Sequence, residues 1–197
     1  MRALTLLLAL MAALMLAAPP THAIPVPLST TLSGANEVPV VVSPGTGQVL
    51  ATLDAAANTL LLNVTFSGLV ANTLAAHIHC CAPLGTNAGV ATTVPAFPVF
   101  PLGVTAGSYL QTLNLADAAS YNPVFITNNG GTVASAAAVL IAGLLTGNTY
   151  LNIHTTANPG GEIRGQLRVP EPASLLLLAS GLLGFGTAAA WRKRSRR

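Results

Sequence analysis

The run Ala76-His77-Ile78-His79-Cys80-Cys81 holds two of the chain's four His and both of its Cys. Its residues alternate with the period of a β-strand, where successive side chains point to opposite faces. His77 and His79 then share one face, and Ala76, Ile78 and Cys80 the other. Tyr150-Leu151-Asn152-Ile153-His154 reads the same way, with Leu151 and Ile153 on one side and Asn152 and His154 on the other. In Glu162-Ile163-Arg164-Gly165-Gln166-Leu167 the pattern recurs, Ile163 and Leu167 facing in and Glu162, Arg164 and Gln166 facing out. Three strands with one apolar and one polar face are expected of an antiparallel sheet with a single buried side.

Outward from these strands the pattern holds. Gln48 to Leu53 and Leu60 to Phe66 alternate cleanly and are separated by the turn Asp54 to Asn58, which makes a hairpin. The sequon Asn63-Val64-Thr65 falls inside the second strand and is read as chance. A Pro/Gly-rich segment runs from Ala82 to Gly107 and carries a short strand near Val90–Val94. Tyr109 to Leu115 is a further strand. Asn122-Pro123 suits a helix start, and Thr132 or Ser135 opens a second helix that closes at Gly147. Asn158-Pro159-Gly160-Gly161 is a turn before the last strand. About eight strands with two late helices predict a mainly β domain, an antiparallel Greek-key-like sandwich or barrel with one or two short inserted helices.

The ends of the chain read as addresses. Arg2 followed by the Leu/Ala run to Ala18, then Pro19-Pro20 and Thr21-His22-Ala23, has the form of a secretory signal peptide over residues 1–23, cut by signal peptidase. Residues 24–30 are Pro-rich and read as a linker, and the domain is placed at 31–168. From Ala173 to Trp191 no residue is charged, a length that crosses a bilayer at about 1.5 Å per residue. Arg192-Lys193-Arg194-Ser195-Arg196-Arg197 follows, a basic cluster that stays on the cytoplasmic side. A transmembrane helix at 173–191 with a basic tail at 192–197 therefore agrees with an exported domain.

These ends also account for the composition. The 197-residue chain is 52% hydrophobic and 7% charged, with a formal net charge of +3. Most of its cations lie in the end segments. Between residues 24 and 169 only Arg164 and Arg168 oppose Glu37, Asp54, Asp117 and Glu162, so the domain itself is acidic. Nucleic-acid binding, which needs a basic face, is excluded.

Several separated motifs resemble one known family. Leu32-Ser33-Gly34-Ala35-Asn36-Glu37-Val38-Pro39, then Ala76-His77-Ile78-His79, then Leu151-Asn152-Ile153-His154-Thr155 with Pro159-Gly160-Gly161-Glu162-Ile163-Arg164-Gly165-Gln166, resemble the CHRD domain, named for the secreted growth-factor antagonist chordin. The resemblance implies an immunoglobulin-like or Cu/Zn superoxide dismutase-like sandwich. It does not extend to dismutase activity, because the two-metal site of those enzymes needs more His than the three here. Pro170-Glu171-Pro172, with the apolar run and Arg cluster behind it, resembles the PEP-CTERM sorting signal of Gram-negative bacteria. That resemblance implies an exosortase as processing partner at the inner membrane. The protein then passes to the periplasm, cell surface or extracellular matrix.

Two functional readings follow. The first is a non-enzymatic binding or structural module for an extracellular polysaccharide or protein, since no nucleophile elbow or phosphate-cradling loop is present. The second is a Cu or Zn site at His77, His79 and His154, for neutral imidazole suits both metals. In it Asn152 and Glu162 serve as partners of the ligands, and Glu162 also pairs with Arg164 on the surface. Cys80 and Cys81 leave three options: a vicinal disulfide, a bridge to another chain, or free thiols.

Overall fold

Alternation is cleanest in β3 (Thr59–Ser67), where Leu60, Leu62, Val64 and Phe66 are buried and the residues between them face water. Its neighbour β2 (Thr46–Asp54) matches it side chain for side chain, Val49 opposite Val64, Ala51 opposite Leu62 and Leu53 opposite Leu60. Each fully buried Leu or Val of this hairpin contributes roughly 2 kcal/mol of burial free energy. The computed structural model describes residues 24–170, and eight strands lie within them. The others are β1 (Val26–Ser33), β4 (Thr73–Cys80), β5 (Gly89–Val90), β6 (Gly107–Asn114), β7 (Thr149–Thr155) and β8 (Ile163–Leu167).

All eight strands join one sheet in the order β5-β4-β7-β8-β1-β2-β3-β6, every neighbouring pair antiparallel. Of the expected sandwich or barrel, the sheet takes the curled form, a half-barrel, and does not split into two separately paired layers. The cause is the β1–β8 junction, where Ser33 pairs Arg164 and Ser29 bridges Arg168, so the two halves stay hydrogen-bonded to each other. One core fills the inner face. Leu28, Leu32, Leu53, Leu62, Ile78, Leu151, Ile153, Ile163 and Leu167 all lie in it, with Phe97 and Phe100 of the Pro-rich segment.

Two helices close this core. Asn122 accepts the Val124 amide at 3.0 Å and Pro123 takes the first position of α1 (Pro123–Asn128). Thr132 accepts the Ser135 amide at 3.1 Å and starts α2 (Val133–Leu145), which buries Ala136, Ala137, Leu140 and Leu144. Gly147, at φ +71°, follows the helix in the left-handed conformation that favours glycine.

Some boundaries differ from the sequence reading. The 24–30 segment is not a linker: β1 begins at Val26 and pairs Pro27 with Thr52, while Leu28 enters the core. The segment expected as a strand at 90–94 pairs regularly only over Gly89–Val90. Among the described residues no helix is long and apolar enough to cross a membrane. The expected signal peptide, transmembrane helix, basic tail and the Glu171-Pro172 part of the sorting motif lie outside the described residues; Pro170 is exposed at their end.

Candidate metal site

The polar residues of β4, β7 and β8 stand in rows across the outer sheet face. His77 pairs Asn152, which pairs Arg164; His79 pairs Tyr150, which pairs Gln166. This face was expected to meet water, and it does not. His77, His79, His154, Asn152, Glu162, Arg164 and Gln166 are all buried. The chain's own loops roof them, and the polar side chains tie the roof down. Arg164 donates from Nε to the Asn36 carbonyl at 2.6 Å and from Nη1 to Asn87 Oδ1 at 2.7 Å, clipping two loops to the sheet. Its guanidinium lies 4.4 Å from the centre of the Tyr150 ring, which stacks on His79 with centroids 4.6 Å apart. Gln166 donates to the carbonyls of Ala82 and Gly147 at 3.1 and 2.8 Å.

Beneath this roof three imidazoles converge. The ligand nitrogens of His77, His79 and His154 all lie within 4.8 Å of one another. Each Nδ1 meets a backbone carbonyl: His77 that of Pro95 at 2.9 Å, His79 that of Ala88 at 2.8 Å, His154 that of Pro159 at 2.9 Å. A carbonyl only accepts, so each Nδ1 carries the proton and donates it. In the neutral ring the lone pair is then on Nε2, and all three Nε2 atoms are buried without a hydrogen-bond partner. Three orphaned acceptors facing one another are costly unless something fills the space between them. Burial holds the three rings neutral: His77 and His79 fall to about 4, and His154 is also lowered. Neutral imidazole with a fixed Nδ1–H is the form that binds a metal.

The expected partners of these ligands are corrected. Glu162 and Asn152 do not orient the rings; the carbonyls of Pro95, Ala88 and Pro159 do. Nor does Glu162 pair with Arg164. Its Oε1 accepts Ser43 Oγ at 2.6 Å and the Val70 amide at 2.8 Å, and its Oε2 accepts Thr155 Oγ1 at 2.6 Å. Burial pushes this carboxyl up, but the hydrogen bonds from Ser43, Thr155, Val70 and Asn158 outweigh it and hold it below the ordinary range. The site gains a residue that the sequence reading left unassigned, Glu37. Its Oε1 is buried and unpartnered, as is Asn152 Oδ1. Burial raises Glu37 to about 7, and the Arg164 charge and the Asn152 amide pull it back only in part. Gly161, at φ +127°, leaves room for both: a Cβ there would stand 2.8 Å from Glu37 Oε1 and 2.5 Å from Asn152 Nδ2. The signal for Glu37 was its place in the Asn36-Glu37-Val38-Pro39 motif.

Cys80 and Cys81 are joined to each other in a vicinal disulfide at the end of β4. Helix α2 approaches it through Gly143, where a Cβ would meet the two sulfurs at 2.7 and 2.8 Å.

Sheet and site define a small antiparallel β-domain whose loops roof three converging imidazoles on the outer sheet face. The chain belongs to the CHRD domain family, whose model matches residues 28–167. A PEP-CTERM protein-sorting motif matches residues 168–196, so the protein is exported through exosortase-type sorting. No curated protein and no solved structure matches the chain.

Proposed function

We propose that the exported domain holds one Cu or Zn ion at His77, His79 and His154 and serves as a non-enzymatic metal-binding module of the periplasm, cell surface or extracellular matrix. The observation that carries this reading is the convergence of three unpartnered Nε2 atoms whose Nδ1 protons are each committed to a carbonyl. A polar sheet face that only held the loops down would use its imidazoles as Arg164 and Gln166 are used, with their side-chain nitrogens spent on the loops. Donation from Nδ1 to a carbonyl fixes the orientation of each ring and raises the basicity of its Nε2. The sealing of the three Nε2 atoms from solvent favours retention of an ion over turnover of a substrate.

Metal analysis of the exported protein, wild type against His154→Ala, tests the reading. One Cu or Zn per chain is expected in the wild type and none in the variant. A wild-type protein that holds neither metal, and takes up neither on dialysis, overturns it.

A further inference from the structure

We infer that the ion for which this triad is built is Cu(I), in preference to Zn(II) or Cu(II); the inference rests on the three-His reading and concerns which charge and coordination number the site accepts.

Coordination number is the first ground. Among the described residues the group that could hold an ion comprises the three His alone, with no carboxylate or thiol. The nearest sulfurs, those of Cys80 and Cys81, are bonded to each other. Zn(II) takes four ligands, and where the protein supplies three a water completes the set. Cu(II) prefers a tetragonal set of at least four. Here each Nε2 is buried without a partner, so a fourth ligand would have to enter the closed site together with the ion. Cu(I), a monocation, is satisfied by three nitrogens in a plane, whereas Zn(II), equally d10 but doubly charged, takes a fourth ligand.

Charge is the second ground. Three neutral imidazoles bring no negative charge to the ion. The cost of burying an ion grows with the square of its charge, so a dication pays about four times what a monocation does. Neither buried carboxylate joins the triad as a ligand. Glu162 is taken by Ser43, Val70 and Thr155. Glu37 keeps one oxygen unpartnered but lies against Asn152 and in the field of Arg164. The guanidinium of Arg164 sits over the Tyr150 ring, which stacks on His79, so a positive charge stands one ring away from the triad. A positive neighbour disfavours Cu(II) and Zn(II) more than Cu(I).

Anaerobic competition titrations of the exported protein decide the matter, with a chromophoric chelator for Cu(I) and parallel chelators for Zn(II) and Cu(II). The expected result is one Cu(I) per chain, bound on the order of a hundredfold more tightly than Zn(II) and tenfold more tightly than Cu(II). The copper X-ray absorption edge of the loaded protein then shows three-coordinate Cu(I) with nitrogen neighbours alone. If Zn(II) or Cu(II) binds as tightly as Cu(I), and His154→Ala abolishes that binding, the preference for Cu(I) is overturned while the three-His site stands. If no ion binds, both fall.

Discussion

Glu162→Gln removes one charge from the interior and changes almost no volume. The wild-type carboxylate is fully buried and accepts three hydrogen bonds, from Ser43 Oγ, the Val70 amide and Thr155 Oγ1. Bonds to a charged acceptor are worth roughly 1.5–3 kcal/mol against 0.5–1.5 for neutral ones. Neutralising the acceptor in three of them costs about 3 kcal/mol. The amide NH2 adds a mismatch, because it must face either Val70 and Ser43, which donate, or Thr155, whose hydroxyl proton then loses its acceptor. Urea denaturation of the metal-free proteins at pH 7 measures the difference. Its pH dependence has a definite sign. The folded carboxyl lies below its ordinary value of 4.5, so its contribution is complete above that pH and fades as pH falls through the folded value. The gap between wild type and variant therefore narrows in acid. A deficit under about 1 kcal/mol at pH 7, or one that stays constant into acid, refutes this role of Glu162.

Other outcomes follow from the same geometry. The three buried imidazoles are neutral in the folded chain and protonated when unfolded below pH 6.5, whereas Glu37, raised to about 7, works in the opposite sense. Between pH 6 and 5 unfolding of the metal-free protein takes up at least about one proton net from His77 and His79 against Glu37, with His154 adding in the same sense, so stability falls by at least roughly 1 kcal/mol per unit of acidification; a flat profile in urea midpoints contradicts this. In the metal-free protein the Glu37 carboxyl carbon titrates near 7 by NMR, and an ordinary value of 4.5 would show it solvated. Gly143→Ala drives a methyl onto both sulfurs of Cys80 and Cys81 and costs about 1–3 kcal/mol in thermal or urea melts; an unchanged melt shows that the helix stands off the disulfide. Replacing Pro170-Glu171-Pro172 by three alanines leaves the chain unprocessed in the membrane fraction, and normal release on fractionation counts against exosortase sorting.

Strand polarity made much of this legible before any coordinates. The two-residue period of β2, β3, β4 and β7 placed Leu60, Val64, Ile78 and Leu151 in the core and His77, His79 and His154 on one face. Periodicity reports which residues share a face but not whether that face is covered. The burial of Arg164 and Glu162 depends on loops 36–44 and 81–90, anchored at the Asn36 and Ala82 carbonyls and the Asn87 side-chain oxygen, none of which carries a sequence signature. The same holds for the carbonyls of Pro95, Ala88 and Pro159 that set the ring tautomers. Strand periodicity could not mark Glu37 as a site residue, because it caps the Gly34–Asn36 turn, where no periodicity applies; only its place in a motif did. The single curled sheet depended on the β1–β8 pairing, a long-range contact between segments at opposite ends of the domain.

The preformed triad is tested most directly by long-range 1H–15N NMR of the imidazole rings, recorded on the metal-free protein and again with one equivalent of Cu(I) under anaerobic conditions. A built site shows His77, His79 and His154 all as neutral Nδ1–H tautomers at pH 7, with their three Nε2 resonances shifting together on loading. Mixed tautomers in the free protein, or one ring that ignores the ion, contradict it.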